Sequence, residues 1–132
     1  MYTLTVKDSL IAQHYLTVPN CGTENKWHSH HFEVEIILKT SNLNKWGYVC
    51  DIDDVKGSLT DLNNRFSDQT LNELEAFEGM NPSVEHFARI AAEYIRDTLD
   101  DETRTRCHEL QVCIWEDAEA AARYTMTLDA DA

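Results

Sequence analysis

Between His30 and Leu38 the chain reads "HHFEVEIIL", placing Phe32, Val34, Ile36 and Leu38 on one side and His31, Glu33 and Glu35 on the other. A period of two belongs to a β-strand, whose successive side chains point to opposite faces of a sheet. A helix repeats its face every 3.6 residues and would mix these two sets. The chain must therefore bury one face of a sheet around this segment, and the rest of the sequence has to supply the cover.

The neighbouring stretches sort themselves around that strand. "YTLTVKDSLIAQHYL", Tyr2 to about Leu16, is β-rich and partly alternating, a preceding strand. "VPNCGTENK" reads as a loop punctuated by Pro19, Asn20 and Gly22. "TSNLNKWG" is a turn, and "YVCDI" reads as an extension of the second strand. Helical spacing begins near Asp53, where Val55, Leu59, Leu62 and Phe66 share one face. "SDQTLNELEAFEGMNP" is irregular. A second helix is expected from Asn81 as cap and Pro82 as first residue, with Val84, Phe87, Ala88, Ala91, Ile95 and Leu99 as its buried stripe. "DDETRTR" ends it, and Leu110–Glu116 with Arg123–Leu128 form a closing strand pair. This strand-strand-helix-helix-strand-strand order is an α+β layout, a four-stranded antiparallel sheet with two helices on one face. At 132 residues, with no linker or repeat, residues 1–132 form a single domain.

The formal charge is −13, from 24 acidic against 11 basic residues. Nucleic-acid binding rests on lysine and arginine neutralising phosphates, so a nucleic-acid partner is not expected. No apolar run has the length of a membrane span, and "MYTLTVKDSL" has no charged-then-apolar leader pattern, so the expectation is a cytoplasmic protein without a membrane partner. The four cysteines, Cys21, Cys50, Cys107 and Cys113, show no CxxC spacing and no disulfide framework. Cys50 and Cys113 sit in apolar runs as small core residues; Cys21 lies just upstream of a histidine cluster.

That cluster is "HSHH", residues 28–31. On a strand His28 and His30 point the same way, and His14, on the preceding strand, can pair beside them and supply a third nitrogen. Three protein nitrogens with one open position is the arrangement of a catalytic zinc, although copper, nickel and iron also accept imidazole. An H-x-H pair alone is equally compatible with surface or hydrogen-bonded histidines. His31 points away, and His86 and His108 read as surface residues.

Six collinear segments now resemble one family. "IAQHYL" resembles the first-histidine segment of the 6-pyruvoyl-tetrahydropterin synthases, which include the 6-carboxy-tetrahydropterin synthases of deazapurine (queuosine) biosynthesis. "HSHHFEVEI" resembles their H-G-H-N-Y-x-V-x-V strand, and "GYVCDIDDVK" their G-x-V-x-D-F-x-x-L-K helix entry. "LNE" near residue 72, "NPSVEHFA" and "VCIWEDAEAAARY" complete the set. The resemblance implies the tunnelling fold, in which trimers close a β-barrel, two trimers stack as a homohexamer, and active sites lie between subunits. It implies a zinc lyase acting on a pterin, with Zn2+ on His14, His28 and His30 and the pterin ring anchored by Glu116.

Two departures concern the catalytic groups. The family's cysteine, four residues before the first histidine of the pair, is here Glu24, while Cys21 stands seven before it. Glu24 is favoured as base with Cys21 as the alternative; a family branch with glutamate here is associated with side-chain removal to 6-hydroxymethyl-dihydropterin. The family's Asp-His relay is replaced in "FSDQTLN" by Ser67 and Asp68, so Asp68 is either a proton relay or an ordinary loop aspartate. His31 is a further candidate proton carrier.

Overall fold

The computed structural model describes residues 1–131. The alternation around Phe32 is realised in β2 (His28–Thr40), which pairs antiparallel with β1 (Tyr2–His14) on one side and β3 (Glu109–Trp115) on the other. β4 (Ala121–Thr127) pairs with β3, so the sheet order follows the chain, β1-β2-β3-β4. Phe32, Val34, Ile36 and Leu38 are each about fully buried and face the helices, with Leu10, Ala12, Leu110, Val112 and Ile114 beside them.

The covering helices are α1 (Ile52–Phe66) and α2 (Val84–Thr98), α1 over β1 and α2 over β3 and β4. Asp51 caps α1 by accepting from Asp53 N, and Asp53 and Asp54 complement its positive end. Val55, Leu59, Leu62 and Phe66 are buried, as their spacing predicts. α2 buries Phe87, Ala88, Ala91 and Ile95, with Leu99 just beyond its end; Val84 is only half-buried. Phe87 is the centre of the core: its ring lies 5.2 Å from Phe32, 5.5 Å from Phe66 and 5.9 Å from Phe77. Each such fully buried side chain contributes about 1.5–3 kcal/mol of transfer free energy.

Several expectations need correction. "YVCDI" does not extend β2: Gly47, at φ 80, turns the chain, and Asp51 is already the cap of α1. α2 is capped by Ser83, whose hydroxyl accepts from His86 N, not by Asn81. "DDETRTR" is a third helix, α3 (Asp101–Arg106), capped by Asp100 through Thr103 N. The region 67–82 is irregular apart from two 3-10 turns, Leu71–Glu73 and Glu75–Phe77. Cys50 joins the core, whereas Cys113 is buried on the sheet face away from the helices, opposite Glu35 in register. His86 and His108 are half-buried rather than surface residues; His86 Nδ1 donates to Asn81 O at 2.7 Å, and His108 Nε2 meets Ser41 Oγ at 2.6 Å.

Candidate active site

The β1–β2 register brings the three histidines together. His14 pairs with His28 and Ala12 with His30, so all three side chains project from the helix-facing side at one end of the sheet. Their ring centroids lie 4.6, 5.0 and 4.8 Å apart, and Phe32 closes the space beneath, 5.4 Å from His30 and 6.1 Å from His14.

Two backbone carbonyls fix the tautomers. His14 Nδ1 lies 2.9 Å from Pro82 O, and His28 Nδ1 lies 2.6 Å from Lys26 O. A carbonyl only accepts, so each Nδ1 carries the proton and each Nε2 presents a lone pair to the centre. His28 Nε2 is 3.0 Å from His30 Nε2, and 3.0 Å from Glu24 Oε2. His14 Nε2 and Glu24 Oε2 are buried acceptors without a hydrogen-bond donor. Burial lowers the His14 pKa, aided by His28 and His30, holding the ring in its neutral form.

Acceptors facing one another in this way repel unless a cation lies among them. One ligand atom each from His14, Glu24, His28 and His30 lies within 4.8 Å of the others. Ligand atoms roughly 2.0–2.1 Å from a shared ion would stand roughly 3–4 Å apart, so a small contraction would bring the three nitrogens into one shell with Glu24 at its edge. The donor set, three imidazoles with a carboxylate beside them, fits a divalent metal such as zinc.

Glu24 belongs to a 3-10 turn, Gly22–Asn25, in the β1–β2 loop. Glu116 follows β3 directly, its N donating to Ala120 O, and its Oε1 lies 3.2 Å from His30 Nε2. The two carboxylates thus meet different histidines. Among the described residues, neither the Cys21 thiol nor the Asp68 carboxylate is in the four-group cluster. Cys21 is half-buried at the start of the same turn as Glu24. Asp68 is exposed, at φ 57, with its N–H donating to Ile11 O. His31 is exposed and faces away from the other three histidines.

Residue types alone did not point to the groups that hold this end together. Asn72 uses both ends of its amide on one residue, accepting from Tyr15 N at 3.0 Å and donating to Tyr15 O at 2.8 Å. Asn81 Oδ1 accepts from Thr17 N at 2.8 Å. Both lie in segments that stood out, "LNE" and "NPS", and both clamp the chain leaving His14. At this end of the sheet Tyr15, Val18 and Trp27, and Ile11 on the opposite face, leave apolar surface in solvent. No helix among the described residues is long and apolar enough to cross a membrane.

Comparison with known proteins agrees with this fold. The structure of 6-pyruvoyl tetrahydropterin synthase from Caenorhabditis elegans aligns over 95% of each chain with a TM-score of 0.81 at 18% identity. That of Plasmodium vivax 6-pyruvoyltetrahydropterin synthase aligns over 96% of this chain and 98% of its own, with a TM-score of 0.81 and 14% identity in a variant that replaces a catalytic glutamate with cysteine. A second Plasmodium vivax structure, with alanine at that catalytic position, aligns equally well. No curated protein matches by sequence. The family model for 6-pyruvoyl tetrahydropterin synthase matches residues 3–127, nearly the whole sheet-and-helix unit, and the chain belongs to that family.

Proposed function

We propose that this protein is a zinc-dependent lyase acting on the C6 side chain of 7,8-dihydroneopterin or its triphosphate, with Glu24 as the base. The observation that carries the reading is Glu24, whose Oε2 is a buried acceptor without a donor, 3.0 Å from His28 Nε2 at the lip of the histidine cluster, while the rest of its side chain stays open to solvent. His14, His28 and His30 hold the metal, and their carbonyl partners at Pro82 and Lys26 keep the lone pairs turned inward. Zinc bound there supplies Lewis acidity to the hydroxyls of the side chain, making neighbouring protons easier to remove. Glu24 would accept such a proton at Oε2, which stands beside His28 at the mouth of the cluster with no donor on it.

Glu116 is the ring anchor. A pterin's 2-amino and N3–H groups form a flat donor pair that one carboxylate accepts in bidentate fashion. With Glu116 beside His30, a ring held there keeps its C6 side chain near the cluster. The exposed apolar surface at Tyr15, Val18 and Trp27 supports a site closed by a second copy of the chain in a trimer or hexamer. The single domain 1–132 would then be a protomer of that ring. Cys21 is the reserve base and Asp68 a relay only if assembly brings it near the cluster.

A carboxylate base also favours a specific second outcome, side-chain cleavage to 6-hydroxymethyl-dihydropterin. In the Plasmodium vivax enzyme a glutamate is a catalytic residue, which supports carboxylate chemistry in this family. Incubating zinc-loaded protein with dihydroneopterin triphosphate and, separately, dihydroneopterin, then identifying the pterins by mass spectrometry, tests both. A 6-pyruvoyl, 6-carboxy or 6-hydroxymethyl product, lost in Glu24→Ala and kept in Cys21→Ala, is expected. Tight pterin binding without turnover would leave a non-catalytic binding protein.

A further inference from the structure

Glu24 sits on a turn of four residues inside the β1–β2 loop, residues 15–27, which carries Pro19 and Gly22. Such a segment does not keep one carboxylate in place by its own hydrogen bonds. The neighbouring residue, Asn25, does what the turn does not. Its Oδ1 accepts from Cys21 N at 3.0 Å, while its Nδ2 donates to Leu16 O at 3.0 Å and to Val18 O at 2.8 Å. A carboxamide has two N–H donors and one carbonyl oxygen, so both hydrogens and the oxygen of Asn25 are committed to backbone.

The next bond closes the arrangement. Leu16 N donates to Glu24 O at 2.7 Å, so Leu16 is held at its carbonyl by the Asn25 side chain and at its N–H by the Glu24 backbone. Leu16 stands two residues beyond His14, on the chain that Asn72 grips at Tyr15 and Asn81 grips at Thr17. Alternate residues of this extension therefore have separate tasks. Tyr15 and Thr17 fasten it to the 71–82 segment, and Leu16 fastens the loop that bears Glu24. Asn25 is exposed, where water competes for every one of its bonds, so these contacts add little to global stability. What they set is the path of the loop.

We propose that Asn25 is the positioning residue for Glu24, fixing the approach of its carboxylate to the histidine cluster without touching metal or pterin. The inference rests on the reading of Glu24 as base. It also says which substitutions fail: aspartate keeps the acceptor for Cys21 N but turns a second carboxylate oxygen toward two carbonyls, and alanine supplies nothing.

The test compares the zinc-loaded full chain as wild type, Asn25→Ala, Asn25→Asp, Glu24→Ala and the Asn25→Ala/Glu24→Ala double variant. Pterin turnover, zinc affinity by chelator competition, and hydrogen exchange at the Leu16 amide are read on each. A misplacement of about 1 Å costs on the order of 100-fold in rate. Both Asn25 variants are therefore expected to lose about 10- to 100-fold in kcat, with KM and zinc affinity retained and Leu16 exchange accelerated. On the residual rate of Glu24→Ala, adding Asn25→Ala should change nothing, because it acts only through the missing carboxylate. A further loss in that background, a fall in zinc affinity, or full kcat in Asn25→Ala overturns the proposal. If Glu24→Ala keeps wild-type turnover, or the wild type turns over neither pterin, the base reading fails instead. Leu16 exchange then decides separately whether Asn25 holds the loop, and unchanged exchange rules that out.

Discussion

The two ends of the sheet treat buried polar groups in opposite ways. Where β2 ends, donors meet acceptors. The Thr40 hydroxyl, fully buried, lies 3.0 Å from the carbonyls of Asn42 and Arg106. The Arg106 guanidinium reaches Glu102, Asn42 O and Val49 O, and Asp100 accepts from Thr103, which holds its carboxyl below the usual range. Arg104 Nε is the exception there. Where β2 begins, acceptors go without donors: His14 Nε2 and Glu24 Oε2 have none, and the His28 Nε2 lone pair has only the His30 ring, 3.0 Å away, to meet it. An unsatisfied buried acceptor costs about 1–3 kcal/mol. One end of the molecule is finished by its own chain, and the other is finished by something the chain must bind.

The largest effect should come from supplying that missing partner. Zinc at about a thousand times its dissociation constant stabilises the folded state by about 4 kcal/mol. A rise in melting temperature on the order of 10 °C is expected over chelator-treated protein. His28→Ala should abolish the shift while leaving the metal-free protein folded. A melting temperature indifferent to zinc would remove the contrast between the two ends.

Arg106→Ala probes the finished end. It strips a charged donor from two carbonyls and from Glu102, at a cost of about 2–3 kcal/mol in chemical denaturation. Zinc affinity should not move, because no contact of Arg106 reaches the histidines. A parallel loss of zinc affinity would mean that the two ends are coupled through β2.

These ends also differ in how far the sequence reveals them. The helix-facing side of β2 and the stripes of α1 and α2 are periodic, and periodicity follows directly from which face is buried. His14, His28 and His30 were legible because a strand period of two aligns them, and the register then pairs His14 with His28. Their surroundings were not. The carbonyls of Pro82 and Lys26, and the amides of Asn25 and Asn72, act through single bonds between distant segments, which leave no period in the chain. At the other end, α3 is polar nearly throughout and reads as a break. It forms because Asp100 caps it, acidic residues occupy its first turn, arginines its last, and Thr103 and Cys107 are buried against the rest. "YVCDI" misleads for a related reason: Cys50 is apolar because it enters the core, not because it continues a strand.

The smallest effect concerns the thiols at the two ends. Burial, with Cys107 nearby, pushes the Cys50 thiol up to about 12 from an ordinary 9.0, and burial raises Cys107 as well. The unfolded chain releases the Cys50 proton above pH 9.0, while the folded chain keeps it until about pH 12. Folding stability from this group is thus complete below pH 9.0 and falls as pH rises through that window, by about 1.4 kcal/mol per pH unit. Cys50→Ala should be less stable at neutral pH yet flatter between pH 9 and 10 in denaturant titrations. Equal slopes for the two proteins would mean that Cys50 ionises as freely folded as unfolded. Cys21, at the start of the turn that bears Glu24, is only half-buried whereas the other three cysteines are buried, so a thiol reagent added at neutral pH should label it well before Cys50, Cys107 or Cys113. Simultaneous labelling of Cys50 and Cys21 would show that the end closed by Arg106 opens as readily as the loop at the site.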